Sequence, residues 1–518
     1  MTAAHRVLFV ADVGGPATYH VGDEAMLAAN LAAFRARSGG ELDATVVSSD
    51  PESTAARYGV RGARRPWPSL GVASGEPDGP PQAGAGEEPA ISALADSDAL
   101  VISGGGNLNS TWPHLLRERI ELLEAAARLG KTAVVLGQTL GPTLSAGDRR
   151  RLGAALSDAA FVGVRELDSF RLALHLGVPV GRLHYQLDDA FFLPGCEPDG
   201  VDLPDPPWAA VTLTGPPRLA ADFKRPLSRI HHELGLPLVF LPHAAEPDWD
   251  ERIGDALAEE LGDAVIRLPV LDALAVRRIT ARAALVISNR YHPLVFAVAE
   301  AVPALGLYSD AYTRIKLRGA LAHAGLQRWC IDQRLVGTSL FEEAILELWW
   351  SRDRTGAHLR GLRPLHELVH RRHWTMVDAA LSGEKSPVEP WPLGAGTHAL
   401  APTPERRGWA AVASAMAEDD HRATWQELFL TEQRDEGVRY ARSLKEVLGN
   451  REEELANVKR ALEELRERVA AVGDPPAPKP PGRTGAGPPG DQLSESPGGG
   501  GAEPPGDPPA GPSEDSAG

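Results

Sequence analysis

The chain has 518 residues, of which 43% are hydrophobic and 24% are charged, a balance typical of a soluble globular protein with two or three domains. Its formal net charge of −17 argues against broad nucleic-acid binding, because an acidic protein and a phosphate backbone repel each other. The two cysteines, Cys196 and Cys330, indicate neither a disulfide framework nor a CxxC metal site. No apolar run approaches the roughly 20 residues that span a bilayer, and Val7 to Val10 is too short for a secretion signal. The sequence therefore predicts a cytoplasmic location.

Short apolar runs alternate with helical patterns over the first 195 residues. The runs that predict strands are Arg6–Ala11, Ala44–Ser48, Ala99–Ser103, Thr132–Gly137, Phe161–Val164 and Leu183–Gln186. Helical patterns between them include Glu24–Arg37 and Pro113–Leu129. Such a series is typical of a parallel sheet covered on both faces. A stretch rich in Gly, Pro and Ala at about 69–90 is predicted to be a flexible insertion.

A second series of strands and helices follows a proline-rich linker. Its predicted strands are Ala209–Leu213, Pro237–Leu241, Ala264–Arg267, Leu285–Ser288 and Pro303–Leu307. The sequence thus predicts an α/β protein with two Rossmann-like parallel-sheet domains, at 1–195 and 205–338, that face each other across a cleft. Ligands of such sheets bind at the carboxyl ends of the strands.

The remainder of the chain is predicted to be helical and then disordered. Residues 339–382 form a helical segment that packs on the body, and 407–472 form a long helix. Apolar residues recur every seven positions in that helix, at Leu448, Leu455, Leu462 and Val469, which is typical of a coiled coil. Residues 441–472 are thus a candidate surface for a homo-oligomer or a helical partner, unless the helix packs on its own domain. Residues 473–518 are rich in Gly, Pro and acid and are predicted to be a disordered tail.

Two segments of the first half place glycines and polar side chains directly at the ends of predicted strands. YHVGDEAML puts Asp23 at the start of a helix, where a carboxylate either caps the helix or faces a ligand. SGGGNLNSTWP carries Gly104, Gly105 and Gly106, followed by Asn107, so that a ligand can approach the backbone closely. A tight turn is the alternative interpretation of this second segment.

Two further segments of the first half end strands with larger polar side chains. GQTLGP places Gln138 at the same sheet edge, and VGVRELDSF presents Arg165 and Glu166. An arginine at a strand end binds a phosphate or carboxylate through two parallel hydrogen bonds, or it pairs with Glu166 or Asp189.

The second half has the densest cluster of candidate residues. Arg290 and His292 follow the strand LVIS and precede an apolar helix, so a guanidinium and an imidazole are expected to face one cleft. That pair suits anion binding combined with proton transfer. Arg314 and Lys316 are expected on the loop after the next strand. His243, in PHAAEPDWD, is expected at the same edge of the sheet.

Together these segments resemble the polysaccharide pyruvyl transferase family. The similarity covers about residues 5–330 and rests on VGDEAML, SGGGNL, GQTLGP, VRELDSF with LDDAFFL, and SNRYHPLVFAVAEAVPALGL, which occur in the family's order. The resemblance implies a GT-B-like fold and transfer of a pyruvyl group from phosphoenolpyruvate to sugar hydroxyls, forming a pyruvate ketal. The chain departs from the family pattern at His20, where Asn is usual, at Tyr291, where Leu is usual, and at Pro293, where a small residue is usual.

The resemblance also implies that Arg165, Arg290 and His292 grip the donor and support catalysis. The chemistry of the residues themselves adds further expectations. Lys316 is expected to add positive charge, His292 is the expected proton donor, and Glu166 or Asp23 is expected to accept the hydroxyl proton.

The expected partners are phosphoenolpyruvate and a glycan acceptor. No metal or organic cofactor is expected, because phosphoenolpyruvate itself supplies the driving force. Two alternatives stay open: a nucleotide-sugar glycosyltransferase, and a non-catalytic glycan-binding scaffold that uses the coiled coil.

Overall fold

A computed structural model describes residues 6–65, 89–198, 200–246 and 248–386, together with Lys459, Arg460 and Glu463. The described residues up to 386 belong to one compact unit. Most of the predicted insertion at 69–90 lies outside the described residues, as do the tail at 473–518 and nearly all of the predicted coiled coil. The three described residues of that coiled-coil segment are helical and exposed.

The first half forms an eight-stranded parallel sheet with helices packed on it. Its elements are β1 (Arg6–Val10), α1 (Val21–Arg37), β2 (Asp43–Ser48), α2 (Pro51–Tyr58), β3 (Arg61–Arg64), α3 (Pro89–Ala95), β4 (Ala99–Ile102), β5 (Gly105–Leu108), α4 (Pro113–Arg128), β6 (Thr132–Leu140), α5 (Ala146–Asp158), β7 (Phe161–Val164), α6 (Leu167–His175) and β8 (Leu183–Tyr185). The strands lie in the order β3-β2-β1-β4-β6-β7-β8, and β5 pairs with β6.

Alternation along β1 explains why this sheet is apolar on both sides. Val7 and Phe9 belong to the core under one face, whereas Leu8 and Val10 belong to the core under the other. Successive side chains of a strand point to opposite faces, so an unbroken apolar run can be buried only between two layers of helices.

The second half forms a six-stranded parallel sheet of the same kind. Its elements are β9 (Ala209–Thr212), α7 (Leu219–Leu234), β10 (Leu238–Phe240), α8 (Trp249–Leu261), β11 (Val265–Arg267), α9 (Ala273–Arg282), β12 (Leu285–Ser288), α10 (Tyr291–Ala299), β13 (Ala304–Tyr308), α11 (Ala311–Ala322) and β14 (Cys330–Asp332). The strands lie in the order β11-β10-β9-β12-β13-β14. The predicted fold class, two parallel-sheet α/β halves, is confirmed.

Three strands and one helix differ from the sequence prediction. Strand β3 is Arg-Gly-Ala-Arg at the edge of its sheet, β5 is Gly-Gly-Asn-Leu, and β14 has only three residues, so none of them contains an apolar run. Arg314 and Lys316 lie on α11 and not on a loop, because only Ser309 and Asp310 separate β13 from that helix. The Asp310 side chain accepts a hydrogen bond from the backbone N–H of Thr313 and so starts the helix early.

Two C-terminal helices, α12 (Ser339–Trp350) and α13 (Arg352–Ser382), follow the second sheet, in the region predicted to be helical. Helix α13 spans both halves. Leu359, near its start, belongs to the core of the second half, whereas Trp374 and Val377, near its end, belong to a core of the first half. Trp374 meets Phe34 of α1 edge to face, with ring centroids 5.7 Å apart.

The two halves also contact each other directly through backbone pairing. The segment before α1 forms an isolated antiparallel bridge between His20 and Ala244. Val21 N–H donates to His243 O at 2.9 Å, and Ala245 N–H donates to Tyr19 O at 2.9 Å. No helix among the described residues is long and apolar enough to cross a bilayer.

Candidate functional site

The candidate residues of both halves meet where the carboxyl ends of the two sheets face each other. Arg165 directly follows β7, Arg290 lies two residues after β12, and His292 lies in the first turn of α10. Asp23 lies in the first turn of α1, beside the backbone bridge between the halves. The topology therefore brings together residues that are more than 250 positions apart in sequence.

Arg165 is the most buried cation of the site, with an exposed fraction of 1%. Its Nε donates to Glu166 Oε1 and to Thr139 Oγ1, each at 3.1 Å, and its Nη1 donates to Asp188 Oδ2 at 2.8 Å. The guanidinium carbon lies 4.2 Å from the centre of the Tyr291 ring. Nη2 is the one guanidinium nitrogen that makes no hydrogen bond to the described residues, so it is the nitrogen left for a ligand.

His292 and Arg165 share one carboxylate, that of Asp188. His292 Nε2 lies 3.7 Å from Asp188 Oδ1. Burial raises the pKa of Asp188, but the neighbouring His292 and Arg165 outweigh that effect and hold it below its usual range. Burial lowers the pKa of His292, and Asp188 opposes that shift.

Gly22 of α1 packs directly against the His292 ring. A Cβ atom at this position would lie 1.8 Å from His292 Nδ1, far inside van der Waals contact. Gly22 therefore leaves the space that lets an imidazole of the second half reach the start of α1 in the first half.

Arg290 joins the two halves through its side chain. Its Nη2 donates to Asp250 Oδ1 at 2.5 Å and to Thr214 Oγ1 at 3.1 Å. Its Nη1 lies 3.1 Å from His20 Nε2, and His20 Nδ1 lies 2.9 Å from Asp23 Oδ2. Burial tends to raise the pKa of Asp23, but His20 and His292 lower it to about 2, so Asp23 is a carboxylate at neutral pH.

Lys316 lies over the glycine-rich segment on the side of the second half. Its Nζ donates to Tyr312 Oη at 3.0 Å, and Tyr312 Oη donates to Gly106 O at 3.0 Å. Burial and the nearby Arg165 lower the pKa of Lys316 to about 8. Among the described residues, no carboxylate lies within ion-pair distance of Lys316.

Close packing keeps the glycine-rich segment near this lysine. A Cβ atom on Gly106 would lie 2.1 Å from Tyr312 Oη and 3.0 Å from Lys316 Nζ, so only glycine fits beneath them. Gly105 has more room, because its nearest neighbours, Asn107 and Gln138, lie 3.8 Å from the equivalent position.

Glu166 and Gln138 lie behind the site. Glu166 accepts hydrogen bonds from Arg165, Thr139 and Ser169, and its side chain is buried. Gln138 is fully buried and donates to the carbonyl oxygens of Ser103 and Leu136. Both side chains therefore hold other parts of the site in place.

Asp189, next to the shared carboxylate, holds the glycine-rich segment from below. It accepts hydrogen bonds from Gly104 N at 3.0 Å, Asn30 Nδ2 at 2.7 Å and Gln186 Nε2 at 2.8 Å. Burial and the adjacent Asp188 raise the pKa of Asp189 to about 7. Asp189 thus fixes the position of Gly104.

Two predicted ligand-binding residues are at the margin of this cluster. Asn107 donates to Asp12 Oδ2 at 3.1 Å, and Asp12 also pairs with Arg65. His243 is buried behind Arg290, and burial together with Arg290 lowers its pKa well below the usual value. His243 is therefore neutral, and its backbone N–H donates to Asp250 Oδ2 at 3.0 Å.

Sequence reasoning did not select four residues that the structure places in the site: His20, Asp188, Asp250 and Tyr312. A signal existed for Asp188, since LDDAFFL follows a predicted strand. His20 was noted only as a departure from the family pattern. Asp250 and Tyr312 are recognised only by their contacts in the folded chain, with Arg290 and with Gly106. Over the part of the chain that the structure describes, no group of three His, Cys, Asp or Glu side chains is arranged to hold a metal ion.

Among the solved structures that are similar to this chain are three whose descriptions name UDP-sugar enzymes. A protein described as a UDP-N-acetylglucosamine 2-epimerase from Listeria monocytogenes superposes with a TM-score of 0.51 at 13% identity, covering 76% of this chain and all of that one. The UDP-GlcNAc 2-epimerase of Neisseria meningitidis gives 0.45 at 12% identity, covering 68% and 93%. A UDP-glucosyltransferase from Polygonum tinctorium gives 0.44 at 12% identity, covering 74% and 98%. At such identities the likeness to the Listeria protein shows the fold alone, which is GT-B-like.

Sequence comparison identifies the family. No curated protein matches this chain in sequence. The family model of polysaccharide pyruvyl transferases matches residues 20–311, which is more than half of the chain. That span begins at His20 and contains every site residue described above except Asp12, Tyr312 and Lys316. The chain therefore belongs to the polysaccharide pyruvyl transferase family.

Proposed function

We propose that this protein transfers the pyruvyl group of phosphoenolpyruvate to two hydroxyls of a sugar in a polysaccharide or glycan precursor, forming a pyruvate ketal. The observation that carries the proposal is the link between His292 and Arg165 through one buried carboxylate, Asp188. This arrangement holds a proton donor and an anion-binding group at a fixed separation. The reaction requires both next to each other, and the family assignment supports the same chemistry.

The donor carries a phosphate and a carboxylate, so the site must supply more positive than negative charge at two places. Arg165 and Arg290 each pair with a carboxylate, whereas no carboxylate among the described residues lies within ion-pair distance of Lys316, so we assign the phosphate to Arg290 together with Lys316. Arg165 Nη2 is available for the donor carboxylate. Because the pKa of Lys316 is lowered to about 8, an anion bound next to it would favour its charged form and gain affinity.

The chemistry balances with one proton delivered and two released. His292 donates a proton to the terminal methylene carbon of phosphoenolpyruvate, and the adjacent carbon becomes an oxocarbenium centre. A sugar hydroxyl attacks this centre and loses its proton. The C–O bond to phosphate then breaks, and a second hydroxyl attacks and loses its proton. One released proton restores His292 and the other leaves with phosphate. No cofactor takes part in these steps.

Of the two candidate proton acceptors, Asp23 fits the geometry better than Glu166. The Glu166 carboxylate accepts hydrogen bonds from Arg165, Thr139 and Ser169, so we assign it the role of orienting Arg165. Asp23 is ionised and borders His20 at the junction of the halves. Attack on an oxocarbenium centre makes the hydroxyl strongly acidic, so a weak base such as Asp23 suffices.

The proposal is tested by measuring phosphate release from phosphoenolpyruvate in the presence of a panel of glycan acceptors. We expect acceptor-dependent release that falls at least about 100-fold in His292→Ala, the usual effect of removing a general acid. Arg290→Ala should lose activity too. The matched control is His232→Ala, an exposed histidine on α7, which should keep the wild-type rate.

Two results would contradict this proposal. Undiminished phosphate release in both Arg290→Ala and His292→Ala would remove the assigned roles. Thermal stabilisation by a nucleoside diphosphate, without stabilisation by phosphoenolpyruvate, would instead support a nucleotide-sugar donor.

A further inference from the structure

The contact between His20 and Arg290 fixes which nitrogen of His20 carries its proton. An arginine side chain has only donors, so the His20 Nε2 that lies 3.1 Å from Arg290 Nη1 must be the acceptor and carries no hydrogen. The proton of neutral His20 is therefore on Nδ1, where Asp23 Oδ2 lies 2.9 Å away. A carboxylate beside one ring nitrogen is the usual device for selecting a histidine tautomer.

The backbone of His20 is fixed as firmly as its side chain. His20 forms the antiparallel bridge with Ala244, and the hydrogen bonds of its two neighbours to the second half flank that bridge. The imidazole is therefore carried to Arg290 by a short strand pair and not by a mobile loop. Removing its acceptor nitrogen leaves Arg290 Nη1 without this contact, while Asp250 and Thr214 still bind Nη2.

We infer that His20 is a positioning residue that orients Arg290 for the donor only while His20 is neutral. Protonation of Nε2 would set an N–H against the N–H of Arg290, so the two side chains would separate. This inference rests on the proposed function, because it assigns Arg290 to donor binding. Donor use should therefore decline on the acidic side of neutrality, the range in which histidine side chains change charge.

Several titratable or charged groups face His20. Asp23, on α1, lies 2.9 Å from His20 Nδ1, and Arg290 Nη1 lies 3.1 Å from His20 Nε2. His243, from the segment after β10, lies close enough for its own protonation to be disfavoured by Arg290 and His20. Asp250, on α8, binds Arg290 Nη2 and so holds the guanidinium from the other side.

The test compares His20→Gln with His20→Ala in the full-length chain. A glutamine amide oxygen can accept from Arg290 but does not titrate between pH 5 and 8. At pH 8 we expect kcat/KM for phosphoenolpyruvate within about threefold of wild type in His20→Gln and about tenfold lower in His20→Ala, the loss of one hydrogen bond to a charged group. Between pH 7.5 and 5.5 the wild type should lose at least about fivefold more activity than His20→Gln.

Comparing the fall in kcat/KM between pH 7.5 and 5.5 in wild type and His20→Gln separates the effect of His20 from that of the donor, because the donor is the same for both proteins. Phosphate protonates in this range as well, with a second pKa near 6, and affects all variants equally. An identical acid-side decline in wild type and His20→Gln would overturn the inference.

A second readout does not depend on turnover. Histidine labelled with ¹⁵N gives separate imidazole signals for each protonation form, and the His20 signal is identified by its loss in His20→Gln. We expect the Nδ1–H tautomer at pH 8 and a changed signal in Arg290→Ala. An Nε2–H tautomer would overturn the inference. The Nδ1–H tautomer in a protein that does not use phosphoenolpyruvate would support the contact with Arg290 while overturning the proposed donor.

Discussion

Individual residues of the site carry charge that is already paired within the protein. Arg165 is bound by Glu166 and Asp188, and Arg290 is bound by Asp250. The sequence predicted the two arginines and Glu166 as site residues because each follows a predicted strand, and the structure places all three near the carboxyl ends of strands. It could not predict that Asp188 and Asp250 neutralise the arginines, since such pairs depend on distances between elements. Which cation remains for an anion is thus a property of the folded site.

Gly22 provides a residue-scale prediction that separates stability from activity. Alanine stabilises a helix interior over glycine by about 1 kcal/mol, yet at Gly22 its Cβ would displace the His292 ring. We expect Gly22→Ala to lower kcat at least about 100-fold, because a general acid that is out of place contributes nothing. Phosphate-release kinetics measure this loss, and circular dichroism checks that the fold is retained.

The matched control for Gly22 is Gly361, on α13. A Cβ atom there would have no heavy atom within 4 Å, so Gly361→Ala should keep the wild-type rate and gain about 1 kcal/mol of stability at most. Equal activity in the two variants would show that the contact between Gly22 and His292 is not needed for catalysis.

Helix α13 shows that a sequence can predict an element without predicting the residues against which the element packs. Its helical character was predicted, but its partners were not. Its second half packs histidines against aromatic rings: the ring centroids of His370 and Phe192 are 4.6 Å apart, and those of His373 and Phe161 are 5.4 Å apart. Polar residues on one helical face predict solvent exposure, so a buried histidine contact of this kind could not be derived from periodicity.

These buried histidines predict a loss of stability in acid. Burial lowers to about 4 the pKa of His370 and that of His184, a residue of β8 whose ring stacks on the ring of His373. The folded protein therefore takes up fewer protons than the unfolded chain. Stability is thus complete above pH 6.5 and declines as the pH falls toward 4. Each histidine should contribute about 1–2 kcal/mol to the decline at pH 5. Urea unfolding at pH 7.5 and pH 5.0 measures the difference.

The variant His370→Phe tests whether protonation at this helix causes the decline. Phenylalanine keeps the aromatic contact and cannot take up a proton, so the variant should lose about 1–2 kcal/mol less than wild type between the two pH values. An equal loss in both proteins would mean that other groups are responsible.

At the scale of the whole molecule, the sequence predicted two α/β halves and the ends of the strands at which they meet. This succeeded because buried parallel strands have unbroken apolar runs, as in β1 and β12. Their mutual placement could not be predicted, since it depends on the backbone bridge at His20 and on α13. Edge strands such as β3 were missed because exposed strands need no apolar residues.

An exposed tryptophan near the junction of the two halves predicts where the glycan acceptor binds. Trp249 is 46% exposed at the start of α8, next to Asp250, whose carboxylate binds Arg290. An indole ring presents a flat apolar face that suits the C–H face of a sugar ring. We expect Trp249→Ala to raise the KM for the glycan acceptor about tenfold and to leave phosphoenolpyruvate binding unchanged.

Trp350 is the matched control, because it is 68% exposed at the end of α12, a helix that contributes no residue to the site described above. Trp350→Ala should change neither KM. Equal acceptor kinetics in both variants would remove Trp249 from the acceptor site.

The path of the chain limits how the two halves can move. They are joined covalently through residues 193–208, and a second, non-covalent link is formed by α13, which continues from the second half and packs its end against the first. Two links between the halves allow one half to rotate about the line that joins the links. They prevent the halves from sliding past each other or separating widely. We therefore expect substrates to enter and leave by small rotations about that line, without complete separation of the halves. The closed and open forms should then differ little in radius of gyration.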